Sequence, residues 1–205
     1  MKIEFFHDTI CSFCFPMSYK MRIIAKEMPD AEIIHRSFSL VWSKAALIEM
    51  YGSMENAKNE LLEHWEDANM TDPLRRFNAE GMRAADFDFP TSKNALLASK
   101  AAGIIGGEAA YWDLFDELQK AMFMNSKDIS QIEEIEECVK AVGLDFDAWQ
   151  NQFNAPDTLA KVRADISLGR RYRVTVVPTL IVNEKIKLPG SLSLEELRSS
   201  LANVK

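Results

Sequence analysis

The chain opens on a short apolar run, Lys2-Ile3-Glu4-Phe5-Phe6-His7, which predicts a strand. Residues 13 to 28 then carry the spacing of a helix that stops near Met28-Pro29-Asp30. Alternation and β-branched residues return in Ala31-Glu32-Ile33-Ile34-His35-Arg36-Ser37-Phe38, a second strand. From about residue 45 to 172 the strand signal is gone. Met, Ala, Leu, Glu and Lys recur there at three- and four-residue spacings, which predicts a run of helices. Its breaks fall at Asp72-Pro73, Phe89-Pro90, Gly106-Gly107, Ser126 to Ser130, Gly143 and Ala155-Pro156. A strand reappears at Pro178-Thr179-Leu180-Ile181-Val182, followed by a turn at Asn183-Glu184 and a short strand from Lys185 to Leu188. The last helix begins near Ser193, where Ser193-Leu194-Glu195-Glu196 has the Ser-x-x-Glu capping pattern.

The order is therefore βαβ, a long helical block, then ββα. It predicts an α/β fold in which residues 1–44 and 173–205 form one discontinuous domain around an all-helical insertion, 45–172. The last helix of the insertion, about 156–171, supplies the crossover back to the sheet. At 205 residues, 47% hydrophobic and 27% charged, such a chain buries a sizeable core without disulfide staples. A net charge of -7 gives no basis for gripping nucleic acid or an anionic membrane surface. The first eight residues hold one lysine and then a carboxylate, so they do not read as a signal peptide, and no apolar run reaches the length of a membrane span. A cytoplasmic location is expected.

Three cysteines are too few for a disulfide framework, and no second CxxC completes a zinc site beside Cys11-Ser12-Phe13-Cys14. Two thiols at this spacing can close a small ring. At the start of a helix, unpaired amides and positive potential favour a thiolate, so Cys11 is the candidate nucleophile and Cys14 the resolving thiol. The bland alternatives are half a metal site, with His7 or Asp8 completing the shell, or two ordinary core cysteines. Ser12-Phe13 brings no charge, which predicts an intermediate redox potential. Val177-Pro178-Thr179 opens a strand late in the chain and suits a cis X-Pro bond beside a CxxC helix, with the backbone of Val177 available to an extended substrate. Glu4 could sit below Cys14 and accept its proton, or could be an edge-facing surface residue. Cys138 reads as a small core residue, and His35 and His64 as structural or exposed.

Together these residues resemble the DsbA-like family of thioredoxin-superfamily oxidoreductases, and specifically its cytoplasmic FrnE-like branch. The resemblance is carried by Phe5-Phe6-His7-Asp8-Thr9-Ile10-Cys11-Ser12-Phe13-Cys14, by Arg36-Ser37-Phe38-Ser39-Leu40, and by Val174-Thr175-Val176-Val177-Pro178-Thr179-Leu180. It implies a thioredoxin-like fold with a helical insertion that partly covers the redox site. It also implies Cys11 as attacking thiol, Cys14 as resolving thiol and Pro178 as a substrate-contacting cis-proline, with Val177 and Phe13 beside the substrate. Ser12-Phe13 departs from the Pro-His of the periplasmic oxidants, which weighs against strong oxidase activity.

The expected activity is thiol-disulfide exchange with protein or small-molecule thiols. No resident cofactor or metal is expected, glutathione is the candidate redox partner, and the chain is expected as a monomer or homodimer. Two other functions stay open. One is a glutathione-dependent isomerase or transferase of the 2-hydroxychromene-2-carboxylate isomerase or kappa type, which typically keeps a serine at the position of Cys11. The other is a non-catalytic protein adaptor.

Overall fold

The computed structural model describes residues 1–204. Strand β1 (Lys2–His7), helix α1 (Cys14–Glu27) and strand β2 (Glu32–Ser37) come first. Seven helices follow: α2 (Lys44–Tyr51), α3 (Met54–Thr71), α4 (Ala79–Ala84), α5 (Ser92–Phe123), α6 (Ile132–Ala141), α7 (Phe146–Asn154) and α8 (Pro156–Arg171). Strands β3 (Thr179–Val182) and β4 (Ile186–Pro189) and helix α9 (Leu194–Ala202) end the chain. The sheet order is β2-β1-β3-β4, with β1 parallel to β2 and antiparallel to β3.

Register decides where chemistry can occur. His7 lies opposite Ser37 at the end of β1, and Phe6 lies opposite Thr179 at the start of β3. The turn that leaves β1 with Cys11 therefore meets the segment that enters β3 from Pro178.

Alternation along β1 sends its side chains to two different layers. Ile3 and Phe5 pack with Met17, Met21 and Ile24 of α1, Phe115 of α5 and Leu197 of α9. Phe6 points the other way, to Val174, Ile181 and Phe38. Its ring comes so close to α8 that a Cβ on Gly169 would sit 3.3 Å from it, which explains a glycine inside that helix.

Helical punctuation agrees with the sequence at most breaks. Ser193 caps α9 with a complete capping box to Glu196, and Pro156 occupies the first position of α8. Gly106-Gly107 is a break of the same kind: α5 consists of two helical stretches that meet at Gly107, whose φ of 75° and ψ of -171° are not helical and which side chains disfavour. The block packs around its own aromatic core, including Trp65, Phe89, Phe123 and Trp149, all essentially inaccessible.

Two carboxylates pin α8 to the sheet. Arg36 of β2 donates to Glu4 at 2.6 Å and to Asp165 of α8 at 3.2 Å. Asp165 also receives Lys100 of α5 and, at 3.1 Å, the backbone N–H of Ser37. Removing one member of such a buried network strands its partners. Asp165→Ala is expected to lower unfolding free energy by about 3 kcal/mol in urea titrations. A loss below about 1 kcal/mol would show that Arg36 and Lys100 find water instead.

Candidate active site

Between His7 and α1 the chain passes through Asp8-Thr9-Ile10-Cys11-Ser12-Phe13 in tight turns. The N–H of Cys11 donates to the carbonyl of Asp8 at 3.1 Å, and that of Cys14 to the carbonyl of Cys11 at 3.0 Å. Phe13 occupies the cap position of α1 without a side-chain cap. The first amides of α1, those of Cys14 and Phe15, point back at the carbonyls of Cys11 and Ser12, at 3.0 and 3.2 Å, so the positive end of the helix faces the turn that carries Cys11.

Both cysteines are free thiols, but their surroundings differ. Cys14 is fully buried. Burial, then the neighbouring Cys11 thiol and the charge of Asp8, push its thiol well above the ordinary range. Cys11 retains 4% exposure, and its Sγ lies 3.4 Å from the carbonyl of Val177. The Val177–Pro178 bond is cis. Pro178 is held by the Gly190 N–H on its carbonyl at 2.8 Å, and Thr179 Oγ1 donates to the Val176 carbonyl at 2.7 Å. Phe13 and Val177, both half-buried, pack against the apolar cluster that contains the two thiols.

The structure thus brings Cys11, Cys14, Val177, Pro178 and Phe13 to one place. Glu4 is not among them. Strand alternation turns its carboxylate to the α8 layer, where Arg36 and the Tyr172 hydroxyl, at 3.0 Å, occupy it. The expectation that it lies below Cys14 fails for that reason; it is buried, but on the opposite face of the sheet.

The carboxylate that acts on Cys14 is Asp8. Its oxygens accept from the N–H of Leu40 at 2.6 Å, the hydroxyl of Ser92 at 2.6 Å and the N–H of Ile10 at 3.2 Å. Despite these bonds, burial raises its carboxyl from 3.8 to about 6. The legible signal was an acid directly after a strand, inside an otherwise apolar run three residues before Cys11. From α5, Gln119 donates to the carbonyls of Thr9 and Cys11 at 3.3 and 3.5 Å.

His7 and His35 are also buried. Nε2 of His7 and Nδ1 of His35 share a hydrogen bond of 3.0 Å, and burial holds both imidazoles well below their ordinary range. Tyr111 stacks on His35, and Phe115 lies against His7. A metal site at the thiols built with His7 and Asp8 is not what these groups form, since each is engaged elsewhere. Cys138 sits in the helical core with its thiol pushed up to about 12, mainly by burial. A cleft of about 460 Å³ lined by Phe15, Tyr19, Arg76 and Lys120 lies beside α1, but neither thiol lines it.

With this geometry in hand, comparison with known proteins is informative. The model of the DSBA-like thioredoxin domain matches residues 2–202. The chain belongs to the DSBA-like thioredoxin domain family. No curated protein sequence gives a significant match. Among solved structures, the DSBA-like chain superposes on a provisionally named protein disulfide isomerase from Nitrosomonas europaea with a TM-score of 0.78 at 15% identity, covering 98% of this chain and 95% of that one. The cytosolic disulfide reductase DsbM of Pseudomonas aeruginosa, with GSH, gives 0.76 at 15% identity, covering 98% of each. A 2-hydroxychromene-2-carboxylate isomerase gives 0.70 at 15% identity over 98% of this chain and 95% of that one. At these identities the likeness is one of fold.

Asp8 makes a prediction about this DSBA-like chain that isolates one residue. Its folded carboxyl binds a proton more tightly than the unfolded one, so the associated stability is complete below about pH 3.8 and lost as pH rises through about 6. Asparagine keeps the one oxygen that accepts from both Leu40 and Ser92 and gives up only the longer bond from Ile10. Asp8→Asn is therefore expected to be more stable than the parent by up to about 3 kcal/mol above pH 7. The advantage should vanish below about pH 4. Paired thermal melts from pH 4 to 8 check this; a difference that does not change with pH would refute it.

Proposed function

We propose that this DSBA-like chain is a cytoplasmic dithiol-disulfide exchange enzyme of the FrnE-like branch, acting on protein and small-molecule disulfides. The observation that carries the reading is the contact of Cys11 Sγ with the Val177 carbonyl, beside Pro178 and ahead of the uncapped α1. The cytosolic setting is suggested by the fold likeness to DsbM. Glutathione is the small-molecule thiol we assign as partner, on the support of that neighbour's structure with GSH.

In the reducing direction, the Cys11 thiolate attacks one sulfur of a substrate disulfide. A mixed disulfide forms and one substrate thiolate leaves. Cys14, having lost its proton, then attacks Cys11 Sγ and releases the second substrate thiolate. Two electrons pass to the substrate and the Cys11–Cys14 disulfide remains. Asp8 takes up the proton of Cys14, as the buried carboxylate of the same turn, whose carbonyl holds the Cys11 N–H and whose carboxyl burial lifts to about 6. Run backwards, the same steps oxidise a substrate dithiol.

Three substitutions separate these roles. Cys11→Ser should abolish insulin reduction and scrambled-disulfide repair, Cys14→Ser should stall as a mixed disulfide, and Asp8→Asn should slow release by about 10²-fold, as expected for loss of a general base, while capture is unchanged. Activity that survives Cys11→Ser would refute the reading. Glutathione-dependent turnover indifferent to Cys14→Ser would move the chain to the isomerase class.

The potential of the couple, equilibrated with glutathione, is expected between about -270 mV and about -120 mV, because Ser12-Phe13 offers the thiolate no charge. A value at the oxidising limit would contradict this.

A further inference from the structure

A second surface opens at the same end of the sheet. Leu40 follows the end of β2 by three residues, as Cys11 follows the end of parallel β1 by four, and β1 and β2 are neighbours. Between this loop and α8 runs a groove of about 540 Å³. Leu40, Trp42, Ala46 and Ile166 give it an apolar floor, and Arg163 and Arg170 stand at its rim. Leu40 is 42% exposed. Arg163, Ile166, Ser167 and Arg170 fall at i, i+3, i+4 and i+7, so they form one face of α8. Ser39, also in the lining, has a buried Oγ with no hydrogen-bond partner among the described residues.

The charge on this face is opposite to that of the chain. The whole protein carries -7, yet the charged side chains that line the groove are Arg163 and Arg170. The acid between them in sequence, Asp165, is committed to Arg36 and Lys100. Neither Arg163 nor Arg170 joins an ion pair among the described residues, and no carboxylate lines the groove. Two free guanidiniums over an apolar floor suit an extended peptide that presents an acidic side chain beside a large apolar one.

The groove is also tied to the thiols. The Leu40 N–H donates to the Asp8 carboxylate, the Asp8 carbonyl accepts the Cys11 N–H, and the charge of Asp8 acts on Cys14. We propose that this groove docks the segment flanking the disulfide in a protein substrate, and that it selects segments carrying Asp or Glu next to an apolar residue. The inference rests on the reading above that Cys11 is the attacking thiol.

The test uses the full chain, reduced, with three disulfide-linked fluorogenic peptides that differ only in Glu, Gln or Lys beside a leucine. The neutral reagent 2,2′-dithiodipyridine reports thiol reactivity alone. The parent should form the mixed disulfide with the Glu peptide about tenfold faster than with the Lys peptide, and the ratio should shrink as salt rises. In Arg163→Glu/Arg170→Glu the preference should invert, in Arg163→Gln/Arg170→Gln it should disappear, and both variants should match the parent with the neutral reagent. Equal rates for all three peptides in the parent would overturn the docking proposal and leave the exchange reading intact. So would a preference that survives both double variants. Silence of the parent toward every disulfide would overturn the exchange reading, and the docking proposal with it.

Discussion

The carboxylate of Asp8 is the constraint on which the thiol turn depends. Its oxygens collect an N–H from the turn itself, one from the loop after β2 and a hydroxyl from the first residue of α5. Three segments far apart in sequence are thereby held around a single buried charge. The arrangement is strained electrostatically, since burial outweighs those hydrogen bonds and lifts the carboxyl to about 6. A group chosen for stability alone would be neutral. An acid kept there at the expense of stability fits a site whose inner thiol has to give up a proton into a region that water does not reach.

The sheet explains why Asp8, and not Glu4, holds that position. Side chains of β1 alternate between the layer of α1 and α5 and the layer of α8. His7, on the α1 and α5 side, meets His35 and Phe115, whereas Glu4 is taken by Arg36 on the other side. Three buried carboxylates thus divide the work. Glu4 and Asp165 fasten a helix to the sheet, and Asp8, just beyond the strand where alternation no longer applies, fastens loops around the sulfurs.

Much of this was legible in the residues. The strands, the CxxC at a helix start, the capping box at Ser193 and the placement of Pro178 depend on local patterns that act within a few positions. The interruption of α5 was legible too, since Gly106-Gly107 signals a stop and Gly107 is non-helical, at φ 75° and ψ -171°. The His7–His35 pair and the network around Asp165 were not: they join positions 28 to 129 residues apart, and their partners are set by the face each side chain takes. Glu4 failed on the same ground. An acid in an apolar strand announces burial, but which layer receives it follows from the sheet and not from the strand.

Helix α5 carries the last consequence. Its start supplies Ser92 to Asp8, and its second half supplies Tyr111 and Phe115 to the histidine pair and Gln119 to the backbone of Thr9 and Cys11. The two halves of α5, which meet at the non-helical Gly107, therefore touch the thiol turn from two sides. Such enclosure leaves the outer sulfur 4% exposed, against the Val177 carbonyl. Little of a substrate can touch the sulfur itself, so discrimination rests on surfaces beside it, and the groove at the same end of the sheet, with Arg163 and Arg170 as its charged lining, is opposite in sign to the chain as a whole.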